Sequence, residues 1–345
     1  MRTRQVLRAG LIVLAMPTAL CAACGSSSPA GRVGPLLGAA PLAKPTTVTL
    51  ILDFIPNAVH AGIYRAIAAG YYTRENLRVR VIQPASTAET LELIDAGKAQ
   101  FGLADAIDVA SLIDAGRDAQ AIMAVVQEPL GALIALASEH LTSACQLAGR
   151  TVGITGVPSD TAVADTTIRH AGCDPGKVHV VTIGFAGVQD LVAHRVAAFT
   201  GFWPADGAQL RVEGYPITTF KLEQNGGPPY PGLVLFTRRS LSSAQPRLVR
   251  AFLAATVKGY EDTVRDPQRS LEDLLRLNPT LQRKLAQASL SAYVPLFTDS
   301  GSARFGQLKD SKLAALFRWL LERRLIHRLI TPARFASNQF LPSTS

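Results

Sequence analysis

Residues 97–126 read GKAQFGLADAIDVASLIDAGRDAQAIMAVV. Phe101–Ala104 is a short apolar run, long enough for a strand and too short for a helix. Ala106–Ala115 then places apolar residues at helical spacing and stops at Gly116, where a chain leaves a helix through a left-handed turn. Ala121–Val126 is a second apolar run. Strand, helix and strand in so short a space make one crossover unit. Such units build a mainly parallel sheet covered on both faces.

The same alternation extends in both directions. Upstream, Val48–Leu52 and Val79–Ile82 read as strands; Ala58–Ala69, ended by Gly70, and Ala88–Ala96, ended by Gly97, read as helices. Downstream, Leu133–Ala137 is a further strand, followed by a second series: strand Thr151–Ile154, helix Ser159–Ala171, strands Val178–Ile183, Ala197–Gly201 and Ile217–Leu222. Gly226-Gly227-Pro228-Pro229 interrupts it, Leu233–Thr237 returns as a strand, and the remainder is mostly helical. The predicted fold class is α/β: two lobes, with residues 47–137 and 233–342 as lobe I and 138–232 as lobe II. A ligand cleft is expected between them, at the C-terminal ends of the strands. With 345 residues, 48% hydrophobic and 18% charged, the chain can build such cores.

Arg2, Arg4 and Arg8 precede an apolar run from Ala9 to Leu20 that is too short to span a bilayer. Charged, apolar and small-residue segments in this order predict a secretory signal over residues 1–23. Ala22-Ala23-Cys24-Gly25 resembles a lipobox, with Cys21 where Leu is usual. Cys24 is therefore the expected lipidation site and residues 24–46 a flexible tether, placing the protein on the extracytoplasmic face of the cell membrane. Without the three leader arginines, 32 basic residues face 26 acidic ones, a net +6. The arginines are scattered, which argues against a nucleic-acid partner.

No HExxH, GxSxG, Walker A or GxGxxG pattern occurs, and no His shares zinc-like spacing with a Cys or another His. No enzyme chemistry, metal or cofactor is expected. A tethered two-lobed body suits ligand capture better.

Asp53-Phe54-Ile55-Pro56-Asn57-Ala58-Val59-His60-Ala61-Gly62-Ile63-Tyr64 resembles the W-x-P-N-x-x-H-x-G-x-Y segment of thiamine-pyrimidine-precursor-binding proteins. Gly70-Tyr71-Tyr72, Gly97-Lys98-Ala99-Gln100-Phe101-Gly102, Thr151-Val152-Gly153 and Asn338-Gln339-Phe340-Leu341-Pro342 resemble further segments of that family, in its order. The resemblance implies the periplasmic-binding-protein fold of the second type. It also implies a monomer that hands a small molecule, such as a pyrimidine precursor, to an ABC permease and its ATPase. The superfamily also includes binders of riboflavin, sulfonate and nitrate, and an enzyme branch of pyrimidine synthases. That branch carries a Lys for pyridoxal phosphate and a His where this chain has Ala104 and Asp108, and a Cys-rich loop where this chain has Gly227–Gly232. Without the amine no Schiff base forms, so the synthase reading is disfavoured. A tethered sensor or scaffold is a further alternative.

Candidate ligand-binding residues follow the strands. Asp53 is either an acceptor for an aminopyrimidine or a cap. Phe54, with Asn57 nearby, either stacks on a flat ring or packs in the core. His60 either reaches the cleft or satisfies backbone groups. Ser86, Thr87, Asp105 and Asp108 either bind a polar ligand group or cap helices. Thr155, Ser159 and Asp160 occupy the matching loop of lobe II. Phe202 and Trp203 are expected to give the cleft at least one aromatic wall, and Tyr230, between prolines, to lay its ring over the ligand.

Cys145 precedes strand Thr151–Ile154 and Cys173 follows helix Ser159–Ala171. A strand–helix unit returns the chain to the end of the sheet where it began, so both thiols fall at the end away from the cleft. A Cys145–Cys173 disulfide is expected in an oxidising compartment.

Overall fold

A computed structural model describes residues 40–302 and 304–343. The signal segment and Cys24 lie outside these residues. The expected tether, 24–46, ends earlier than residue 46: Leu42 N–H donates to the Glu75 carbonyl at 3.3 Å, and Asn76 Nδ2 donates to the Leu42 carbonyl at 2.5 Å.

Among the described residues ten strands form two five-stranded sheets. They are β1 (Thr46–Ile51), β2 (Leu77–Ile82), β3 (Phe101–Ala104), β4 (Gln120–Val126), β5 (Gly131–Leu136), β6 (Thr151–Ile154), β7 (His179–Thr182), β8 (Ala198–Phe202), β9 (Ile217–Lys221) and β10 (Leu233–Thr237). The first sheet has the order β2-β1-β3-β10-β4 and the second β7-β6-β8-β5-β9. In each, one strand runs against its neighbours: β10 in the first, β5 in the second.

The strand β5 corrects the expected lobe boundary. It pairs with β8 and β9, so lobe II starts before Gly131 rather than at residue 138. The run Gln127–Leu130, with Pro129, carries the chain from one sheet to the other. All of β5 is buried, so its continuous apolar pattern did not reveal which sheet it joins. The return crossing runs from Leu222 to Gly232.

Alternate residues of β1 feed separate cores. Val48 and Leu50 face one apolar layer with helix Pro246–Arg265, while Ile51 faces another with helices Ala106–Asp114 and Asp310–Glu322. Lobe II splits likewise, with Leu133 and Ala135 on one side of β5 and Ala132, Ile134 and Leu136 on the other. Gly97 and Gly116 close their helices at φ +70° and +78°, a region that side chains disfavour. Among the described residues no helix is long and apolar enough to cross a membrane.

Several contacts set the lobes against each other. Ala162 and Val163 of lobe II, with Leu222 and Tyr230 of the return crossing, enter the apolar layer of lobe I. The rings of Phe54 and Phe185 meet edge to face at 4.3 Å between centroids. Helix Arg283–Tyr293 packs on both the Ala58–His60 turn of lobe I and helix Asp206–Val212 of lobe II. Far from the cleft, Cys145 and Cys173 are joined by a disulfide, with Cα atoms 5.4 Å apart.

Candidate ligand-binding cleft

The segment after β1 organises itself around His60. The Asn57 side chain accepts from Val59 N–H at 2.9 Å, starting the Ala58–His60 turn. His60 Nδ1 accepts from Asn57 N–H at 3.1 Å. With Nδ1 an acceptor, the ring proton sits on Nε2, which donates to Asp53 Oδ1 at 2.8 Å. His60 is fully buried and does not line the cleft. Its expected ligand contact is therefore corrected: both ring nitrogens are committed, and the residue positions Asp53.

A void of about 830 Å³, including its open mouth, lies between the lobes. Asp53, Phe54, Asn57, Thr87, Asp105 and Asp108 line it from lobe I. Thr155, Ser159, Asp160, Phe185, Phe199, Phe202 and Asp206 are among its walls from lobe II. Asp206, Phe199 and Thr200 were missed in the sequence. Asp206 sits past a strand end like the other candidates, but in a loop already assigned to aromatics.

Three further candidate residues do not line the void, although Phe202 does. Ser86 lies outside the cleft and caps helix Thr87–Asp95, accepting from Glu89 N–H at 3.3 Å. Trp203 turns away into the second lobe's core, where Lys221 Nζ stands 3.4 Å over its ring. Tyr230 is fully buried beneath the cleft and donates its hydroxyl to Asp105 Oδ2 at 3.3 Å. Its ring packs in the apolar layer of lobe I rather than over the void.

Several backbone amides at the cleft are filled from within. Asp160 Oδ2 accepts from Thr155 N–H at 2.9 Å, Gly156 N–H at 3.0 Å and the Thr155 hydroxyl at 2.6 Å. Its Oδ1 takes the Thr200 hydroxyl at 2.7 Å. Asp108 accepts both Ser159 N–H and its hydroxyl, at 2.8 and 2.9 Å. Asp105 caps helix Ala106–Asp114 through Ile107 N–H at 2.8 Å, and Asp206 Oδ2 accepts from Phe202 N–H at 2.8 Å. The N-termini of helices Ala106–Asp114 and Pro158–His170 are thus occupied by carboxylates of the chain itself.

No Lys, Arg or His is among the lining residues, against five aspartates. Burial pushes the Asp108 carboxyl up to about 7 and the Asp206 carboxyl to about 6, with the Asp160 charge adding to both. Burial, then the Asp108 charge, raises Asp105 as well. Among the described residues no group of three or more His, Cys, Asp or Glu side chains converges to hold a metal ion.

A family model described as NMT1/THI5 like matches residues 57–270. The chain belongs to the NMT1/THI5-like family. A formylaminopyrimidine-binding protein of Halalkalibacterium halodurans is 31% identical to this NMT1/THI5-like chain over 270 residues, covering 77% of it and 82% of the relative. A 4-amino-5-hydroxymethyl-2-methylpyrimidine phosphate synthase of Legionella pneumophila is 25% identical, covering 86% of the chain and 93% of the relative. The alkanesulfonate-binding protein SsuA of Xanthomonas axonopodis, at 15% identity, superposes with a TM-score of 0.68 over 86% of the chain and 99% of its own. The fold is that of periplasmic binding proteins: two α/β lobes about one cleft.

Proposed function

We propose that this chain is the extracytoplasmic solute-binding component of an ABC importer and captures a flat, uncharged or cationic heteroaromatic molecule of the aminopyrimidine class. The observation that carries this reading is the filling of the cleft's amides by Asp105, Asp108, Asp160 and Asp206. A sulfonate or nitrate would meet carboxylates where it needs donors. The aromatic side chains Phe54, Phe185, Phe199 and Phe202 instead offer faces and edges to a ring. The formylaminopyrimidine-binding relative supports the same class. Binding closes the lobes, and a permease with its ATPase receives the ligand.

The synthase reading is not favoured. Ala104, 2% exposed, supplies no amine, and Asp108 is committed to Ser159. Anchoring through Cys24 on the outer face of the membrane belongs to the same proposal. Cys24→Ser is expected to move the protein from the membrane to the soluble fraction.

Native mass spectrometry of gently purified protein tests the proposal. A co-purified nitrogen heterocycle supports it; a co-purified sulfonate or other anion would overturn it.

A further inference from the structure

We infer that the end of lobe I opposite the cleft rests on an anionic lipid bilayer, with arginines of the C-terminal segment at the lipid phosphates and Leu321 and Leu329 in the headgroup layer. This goes beyond ligand capture and concerns a different face of the molecule.

Helix Asp310–Glu322 and the turn after it carry Arg318, Arg323, Arg324 and Arg328, all exposed. Among the described residues none of the four side chains forms an ion pair; Arg318 and Arg328 donate to backbone carbonyls, those of Ala314 and Asp114. The acids nearby are largely engaged. Asp114 Oδ2 meets His327 Nδ1 at 2.7 Å, and its Oδ1 accepts from Arg328 N–H at 3.2 Å. Asp95 pairs with Arg117 at 3.5 Å, and Asp118 accepts from Ser240 N–H at 3.2 Å. Glu322 is exposed and offsets one arginine. Further along, Arg239 donates to the Arg334 carbonyl, and burial, then the Arg334 charge, lowers its guanidinium. Leu329 is 57% exposed and Leu321 37%, inside this positive field. Basic residues beside exposed leucines are the combination that binds a lipid surface, charge to phosphate and side chain to the acyl boundary.

The topology puts this patch where the chain enters lobe I. Strands β1 and β3 run parallel, and β10 runs against both β3 and β4, so β4 runs with β1. The starts of β1 at Thr46 and β4 at Gln120 therefore share the end of the sheet away from the cleft. They are three strand steps apart, about 14 Å. Helix Ala106–Asp114 ends there, and Arg334 Nη1 donates to the Ala119 carbonyl at 3.5 Å, so the patch lies at that end. Leu42 is bonded at the same end, to Glu75 and Asn76 just before β2. The expected anchor, Cys24, precedes Leu42 by 18 positions. Such a length reaches at most about 65 Å. Tethering makes the contact intramolecular, so a weak affinity suffices. The choice of a bilayer over another acidic surface rests on that anchor, which keeps this end of lobe I beside lipid. Docked this way, the cleft faces away from the bilayer. Without the lipid the patch holds weakly and lets go as salt rises, so Cys24→Ser protein still washes into the soluble fraction.

The test is co-sedimentation of the Cys24→Ser protein with vesicles of phosphatidylcholine and phosphatidylglycerol in equal parts, and with vesicles of phosphatidylcholine alone. Binding is expected to the mixed vesicles at about 0.1 M salt, with loss at about 1 M, where the screening length falls to about 3 Å. Arg323→Gln with Arg324→Gln is expected to lower the partition constant about 25-fold, roughly fivefold for each charge. Leu329→Ser is expected to lower it several-fold. Arg169→Gln with Lys177→Gln, two exposed positions of lobe II, removes the same charge and is expected to change little. Every substituted side chain in lobe I is exposed, where polar replacements disturb folding least. The expected leader is common to all the proteins compared, so their differences report the patch. No preference of the Cys24→Ser protein for the anionic vesicles would overturn the inference. So would undiminished partition of the arginine and leucine variants, or an equal loss from the lobe II pair. Ligand titration of the same proteins reads the cleft separately, and none of these outcomes bears on it.

Discussion

Asp108 in lobe I and Ser159 in lobe II are joined by two hydrogen bonds, 2.8 Å from Ser159 N–H and 2.9 Å from its hydroxyl, with both residues buried. Asp108 stands among like charges, with Asp105 and Asp160 nearby. Burial holds its carboxyl up to about 7, and that of Asp206 up to about 6. Both lie above the roughly 3.9 of an unfolded aspartate.

The folded protein therefore binds protons that the unfolded chain has released, and its stability falls as pH rises from about 4 through about 7. The melting temperature of ligand-free protein should be lower at pH 7.5 than at pH 5.5. Asp108→Asn keeps an acceptor for Ser159 N–H and should flatten that slope. Asp114, Asp262 and Asp299 are held low and act only at more acid pH. A wild-type profile that is level between pH 5.5 and 7.5 would contradict this reading of Asp108 and Asp206.

Gly201 sits beneath Asp206. A Cβ there would lie 2.6 Å from Asp206 Oδ2. Gly201→Ala should shift the carboxylate from Phe202 N–H, disturb that wall of the cleft and weaken binding of an aminopyrimidine by roughly tenfold. Titration beside a melting curve checks it: an unchanged affinity would show that the position of Asp206 does not matter.

The Cys145–Cys173 disulfide closes a loop of 28 residues at the end of lobe II opposite the cleft. Chain-entropy arguments give about 3.5 kcal/mol for such a loop. Reduction should lower the melting temperature by several degrees and leave ligand affinity unchanged. A fall in affinity with unchanged melting would reverse the assignment.

Aromatic substitutions should separate wall from core. Phe54→Ala removes a cleft face and its contact with Phe185, and is expected to cost binding tenfold or more. Trp203→Phe lies behind the wall, under Lys221, and should bind as wild type does. Equal losses for both would place Trp203 at the ligand after all.

Much of the fold was legible because the first helices end at Gly70, Gly97 and Gly116 and many strands, such as Phe101–Ala104 and Leu233–Thr237, are short apolar runs. The strand β5 was misplaced because a strand buried on both faces carries no sign of which sheet covers it. In the cleft, position after a strand located Asp53, Phe54, Thr87, Asp105, Thr155 and Ser159. It could not tell Phe202 from its neighbour Trp203, since adjacent residues leaving a strand point to opposite sides and the register is not written in composition. Tyr230 and His60 carried the right chemistry at the right depth, yet each spends its polar atoms on an aspartate rather than a ligand. Only the hydrogen-bond partners revealed that.

The central claim is that the cleft selects a flat heteroaromatic ring and rejects anions. Titrating the purified protein at pH 7.5 with an aminopyrimidine, then with taurine and with nitrate, tests it most directly. The account predicts saturable binding of the aminopyrimidine alone. Saturable binding of taurine or nitrate, with no response to the aminopyrimidine, would contradict it.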